Sequence, residues 1–174
     1  MNSAGPTIFA TDHFGILDPT LHRQSRGFDN LEANRLACLA LRHRGTFLDA
    51  ACGVNIVHFG SATAFLSGPL NAAYYSLKDR AKKDSKIISF DPNYRHLLFG
   101  DKIPSFIKQS LVFLKEADFT KLSDEEAMLI TETESVEEAT EALLDICPGV
   151  FAITLGKEGT LLGLAGKTYI IPSI

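Results

Sequence analysis

Ile87-Ile88-Ser89-Phe90-Asp91-Pro92-Asn93-Tyr94-Arg95 is the stretch on which the fold turns. Its first four residues are apolar but for one serine, as in a strand buried on both faces. Pro92 ends that strand, because a residue without an N–H cannot continue a hydrogen-bonded ladder. An acid, an amide and a guanidinium then fall within five residues. Asn can bond a phosphate or hydroxyl, and Arg can clamp a charged oxygen with two donors. The plain alternative is a strand-ending turn in which Arg95 pairs with Asp91.

The same alternation extends in both directions. Upstream, Asn55-Ile56-Val57-His58-Phe59 reads as a strand stopped by Gly60-Ser61, and residues 71–83 read as a helix. Ala72, Ala73 and Tyr75 or Ser76 follow its period loosely, with basic residues gathered at the C-terminal end where the helix dipole favours them. Downstream, residues 105–116 form a clearer helix with Phe106, Ile107, Leu111 and Leu114 on one stripe. A strand is expected over 119–122. Two helix starts with one signature follow, Ser123-x-x-Glu126 and Ser135-x-x-Glu138, both capping boxes. The second opens a helix facing Val136, Ala139, Leu143 and Leu144 inward. Val150 to Leu155 is a nearly all-apolar strand, broken by Gly156 and Gly159. Residues 160–164 and 168–171 form a hairpin turning at Ala165-Gly166.

Strand and helix in succession define an α/β fold, a mostly parallel sheet with helices on both faces. Ligands of such sheets bind beyond the carboxyl ends of the strands. The residues to read are therefore Gly60-Ser61, Asp91 to Arg95, Ser123 to Glu126 and Gly156 to Gly159. Gly156-x-x-Gly159 could let backbone N–H groups approach a phosphate, although a simple turn explains it as well. Ser123-x-x-Glu126 is explained by capping alone, with a metal or phosphate role as the competing reading.

Bulk properties exclude several classes. The 174 residues carry a net charge of -4, with 45% apolar and 22% charged residues. That acidic balance speaks against nucleic acid as a partner, and no apolar run approaches a membrane span. Met1-Asn2-Ser3 has neither the basic nor the apolar region of a secretory signal. Cys38, Cys52 and Cys147 lack metal-type spacing and read as reduced thiols of a cytoplasmic protein. Ala165-Gly166-Lys167-Thr168 has the end of a P-loop, but Leu161 stands where its first glycine belongs. No G-x-G-x-x-G, H-E-x-x-H or Cys/His cluster occurs.

Four phrases in order carry a family resemblance. They are Val57-His58-Phe59-Gly60-Ser61, Ser89 to Arg95 as quoted, Lys121-Leu122-Ser123-Asp124-Glu125-Glu126, and Ile153-Thr154-Leu155-Gly156-Lys157-Glu158-Gly159. Together they resemble the PfkB carbohydrate kinases, most of all the fructokinases, at very similar separations. Before Asn55 the match is thinner: Pro6-Thr7 to Asp12 and Arg26-Gly27-Phe28-Asp29-Asn30 look like lid strands and the family's R-G-A-D-N phrase, with Phe28 where a small residue is usual.

The resemblance implies a ribokinase-like fold, with residues 1–30 as lid strands and connection and 31–174 as a partial Rossmann-like kinase domain. It implies transfer of the γ-phosphoryl of ATP to a sugar hydroxyl, with Mg²⁺ on the phosphates and fructose or a similar sugar as acceptor. By position, Asn93, Arg95 and Asp91 would lie at the sugar and the transferring phosphate. Thr154, Gly156, Gly159 and Ser123 would contact the nucleotide, and Glu126 would organise Mg²⁺ through water. Ser123 stands where the family's N-x-x-E element has Asn, a change common among fructokinases. The glycine-rich N-terminal signature and the G-A-G-D motif, which supplies the proton-accepting Asp, are not found, so no catalytic residue is assigned within this chain and no turnover is expected of it alone. A homodimer formed through the lid is a further expectation. The alternative is a non-catalytic, kinase-like module that binds a ligand or regulates.

Overall fold

The computed structural model describes residues 7–10, 54–61 and 64–173, with the backbone alone for 7–10. The phrase at 26–30, Cys38 and Cys52 lie outside the described residues. The chain divides into two compact units, Met1–Ile87 and Ile88–Ile174.

In the first unit, β1 (Thr7–Ala10) and β2 (Ile56–Gly60) run parallel, from Thr7 beside Ile56 to Ala10 beside Phe59. Of the stretch expected as lid, β1 is the described part. Helix α1 (Pro69–Lys83) begins at Pro69, whose missing N–H would have no intrahelical partner there. Arg80, Lys82 and Lys83 close it. Its inward stripe is Tyr74, Leu77, Lys78 and Ala81 rather than the Ala72, Ala73 and Tyr75 phase expected. The stripe was obscured by Lys78, which buries a long apolar stem and reads as polar. Tyr74 meets Phe59 edge to face at 5.7 Å.

The second unit holds β3 (Ile87–Asp91), β4 (Phe119–Ser123) and β5 (Val150–Thr154), paired in parallel in that order. Helix α2 (His96–Phe99), a 3₁₀ turn (Gly100–Lys102) and α3 (Ile103–Leu114) connect β3 to β4. Helices α4 (Asp124–Thr131) and α5 (Val136–Ile146) connect β4 to β5. β6 (Thr160–Leu164) and β7 (Lys167–Ile171) then extend the sheet antiparallel. Their turn places Ala165 and Gly166 at φ 49° and 74°, the left-handed pair of a tight two-residue hairpin.

The core of this unit is built from Ile88, Phe90, Phe106, Phe113, Leu122, Ile130, Leu143, Phe151 and Ile153, each at most 1% exposed. Two expected helix faces are corrected. On α3 the buried stripe is Phe106, Ser110, Phe113 and Leu114, while Ile107 and Leu111 are half-buried. The buried hydroxyl of Ser110 has no hydrogen-bond partner among the described residues, and a polar residue in the stripe is what shifted the expected phase. On α5 the buried residues are Ala139, Thr140 and Leu143, with Val136 and Leu144 half-buried. Thr140 enters the stripe by donating its hydroxyl to the Val136 carbonyl at 2.7 Å.

Candidate functional site

The carboxyl ends of β3, β4 and β5 form one edge of the second unit. Phe90 lies beside Thr120, and Ser123 beside Thr154, so the turns after the three strands open on the same side.

The β3 turn is held by its own acid. Asp91 Oδ1 accepts the Asn93 N–H at 3.1 Å, a local Asx turn. Asn93 itself takes φ 47°, a left-handed conformation Asn tolerates better than most residues. Asp91 Oδ2 pairs with Lys121 Nζ at 3.3 Å, reaching across from β4. Tyr94 packs its ring against Phe106 at 4.8 Å and Phe99 at 5.9 Å. Arg95 follows at the N-cap of α2, exposed, and makes no ion pair or side-chain hydrogen bond among the described residues. Asp91 therefore takes Lys121 as its partner, and the plain turn in which Arg95 pairs with Asp91 is not what forms.

At the end of β4 the capping box is complete. Ser123 Oγ accepts the Glu126 N–H at 3.1 Å, and Glu126 Oε2 accepts the Ser123 N–H at 2.8 Å. The other oxygen of the same carboxylate, Oε1, accepts the Tyr94 N–H at 2.6 Å. Glu126 is only 9% exposed, and a carboxylate at that depth needs such donors to offset lost hydration.

At the end of β5 the Thr154 hydroxyl donates to the Leu122 carbonyl at 3.2 Å. A 3₁₀ turn (Gly156–Glu158) follows. Gly156 has φ 58°, and a Cβ there would meet nothing within 4 Å, so its backbone faces open space. Gly159, at φ 110°, is required by packing: a Cβ would fall 2.0 Å from the Ile171 carbonyl oxygen. The two glycines thus answer to different needs, and only the backbone at Gly156 is open to a ligand.

Asp91 bonds Asn93 and Glu126 bonds Ser123, the Tyr94 N–H to Glu126 links the two turns, and Thr154 lies beside Ser123 in the sheet. Lys121 and Tyr94 were within the quoted phrases but carried no assignment. A lysine at a half-buried position of a parallel strand was the available signal for the first; nothing local marks the Tyr94 amide. No group of three or more His, Cys, Asp or Glu able to hold a metal occurs among the described residues. Direct ligation of Mg²⁺ by this edge does not fit, since both acids are engaged by N–H groups or Lys121. The open backbone at Gly156 does fit the approach of a nucleotide. A groove along α3, lined by Pro104, Ile107, Leu111 and Val112 among others, includes none of the site residues. No described helix is long and apolar enough to cross a membrane.

With fold and edge in view, the class is defined. The chain belongs to the pfkB family of carbohydrate kinases, whose model matches residues 32–174. Probable fructokinase-4 of Arabidopsis thaliana is 30% identical over 127 residues, which cover 72% of this chain and 38% of that protein. The fructokinase of Vibrio cholerae O395, solved with fructose, ADP and calcium ion, is 26% identical with a TM-score of 0.62, covering 67% of this chain and 37% of that one. The PfkB protein of Polaromonas sp. JS666, at 16% identity, a TM-score of 0.65 and coverage of 73% and 43%, shares the fold. The chain thus spans well under half the length of each, and its α/β architecture is ribokinase-like.

Proposed function

We propose that this protein transfers the γ-phosphoryl group of ATP to a hydroxyl of a sugar, fructose or one similar to it. The observation that carries the reading is the β3 turn: Asn93 and Arg95 are presented at the carboxyl edge while Lys121 occupies Asp91, which leaves the Arg95 guanidinium available for an anion. The family match and the fructokinase relatives support the reaction class.

In this reading a P–O bond forms to the sugar oxygen, the β–γ P–O bond breaks, ADP leaves and the hydroxyl proton passes to a base. Arg95 and Asn93 hold the sugar and the transferring phosphate in line, which is where such enzymes gain most of their rate. Ser123, Thr154, Gly156 and Gly159 form the nucleotide side, Gly156 through its open backbone and Gly159 by keeping that turn close to β7. Mg²⁺, which neutralises phosphate charge when bound, would be carried on the nucleotide, with Glu126 reaching it only through water. Neither Asp91 nor Glu126 is disposed to take the hydroxyl proton, because each is engaged as described. Residues 1–30 as a lid, dimerisation through it and a cytoplasmic location belong to the same reading and rest on the family resemblance.

A coupled ADP-release assay of the full-length protein against a panel of sugars tests it. Turnover with fructose or a near relative is expected. ATP binding without turnover on any sugar would overturn it in favour of a non-catalytic module. Arg95→Ala should lower kcat/KM by about tenfold or more; a change below about twofold would remove Arg95 from the site.

A further inference from the structure

We infer that Glu126 is a positioning residue: its carboxylate clamps the β3 turn to the β4–α4 junction and so sets where Asn93 and Arg95 stand. The geometry is a bridge across 32 residues of sequence. One oxygen receives the Tyr94 N–H at 2.6 Å and the other the Ser123 N–H at 2.8 Å. Tyr94 is the residue between Asn93 and Arg95, so fixing its amide fixes the direction in which both neighbours leave the turn.

The local turn does not suffice to do this. Asp91 holds the Asn93 amide from within the turn, and the Tyr94 ring is seated on Phe99 and Phe106. Those contacts leave the Tyr94 N–H to be satisfied, and an anionic acceptor satisfies it more strongly than a neutral one. Lys121 from β4 pairs with Asp91 of the turn, and Asp124 and Glu125 share the first turn of α4 with Glu126. Ser123, by contrast, needs no anion: a capping box works with Gln as well as Glu at the third position. The charge of Glu126 is therefore spent on Tyr94.

That distinction supplies the experiment. In Glu126→Gln the amide oxygen can serve one N–H, and its NH₂ then faces the other as donor against donor. Helix α4 keeps its cap while the bridge opens. Amide hydrogen exchange of residues 92–96 in the full-length protein should accelerate about tenfold or more, with α4 protected as before. In the kinase assay kcat/KM should fall about tenfold. Most of that loss should vanish in an Arg95→Ala background, because the two changes act on one loop.

Unchanged exchange at 92–96, or full additivity with Arg95→Ala, would overturn the inference. The inference rests on the kinase reading for its kinetic arm alone. A wild-type protein that phosphorylates no sugar would sink that reading, and the exchange measurement would still decide whether the clamp exists.

Discussion

Two helices of the second unit open with the same phrase, Ser-x-x-Glu, and use it differently. At Ser123 the serine caps the helix and Glu126 serves both its own N-cap amide and the Tyr94 amide of a distant turn. At Ser135 the serine again accepts the third amide, from Glu138 at 3.2 Å. Glu138, however, turns back to the Glu134 N–H at 3.2 Å, in solvent, and to no other partner among the described residues. The difference lies in what each helix follows. Helix α4 starts directly from the end of β4, with the β3 turn alongside, whereas α5 starts from the short loop that follows α4. Identical local chemistry thus becomes a cap in one place and a clamp in the other.

The largest test of that contrast removes the acids. Glu126→Ala leaves two amides without their charged acceptor and should destabilise the protein by about 3 kcal/mol, from roughly 1.5–3 kcal/mol for each such bond. Glu138→Ala, exposed, should change stability by no more than about 0.5 kcal/mol. Urea unfolding of both variants compares them, and equal losses would break the contrast.

A smaller effect concerns the serines. Ser123→Ala and Ser135→Ala should each cost about 1 kcal/mol, because both side chains make the same local bond. A difference above about 1 kcal/mol between them would mean that the serines, too, are used unequally.

The smallest effect reads the far end of the second helix. Cys147 closes α5, its N–H bonded to the Leu143 carbonyl at 2.9 Å. Burial pushes its thiol from an ordinary 9.0 up to about 12. At pH 8 it stays protonated and should react with iodoacetamide more slowly than an unfolded control. The sign for stability follows: below pH 9 the thiol is neutral in both states, and between pH 9 and 12 the unfolded chain ionises first. Stability should therefore fall across that window. Labelling at pH 8 as fast as in the unfolded control would place Cys147 outside the packed end of α5.

Much of this was legible along the chain. The strands at Ile87–Asp91 and Val150–Thr154 showed as apolar runs, the caps at Ser123 and Ser135 as four-residue signatures, and the last hairpin as a turn at Ala165-Gly166. Each of these depends on neighbours within a few residues. The inward faces of α1, α3 and α5 were misphased because Lys78, Ser110 and Thr140 are buried despite polar atoms. A polar residue hides its burial in a hydrophobic pattern, since its disposition depends on what packs over it.

The site divides along the same line. Asp91, Asn93, Arg95, Ser123, Glu126, Gly156 and Gly159 could be chosen from the sequence, because turns after strands of a parallel sheet are where ligands bind, and Thr154 was added by the family resemblance alone. Their partners could not. Lys121 takes Asp91, Tyr94 takes Glu126, and Gly159 answers to the Ile171 backbone. The sequence by itself determined which segments are strands, which residues cap helices and which family the chain resembles, all local or ordered patterns. Only the tertiary structure decided that one carboxylate joins two turns 32 residues apart, because that bond exists only once β3 and β4 lie side by side.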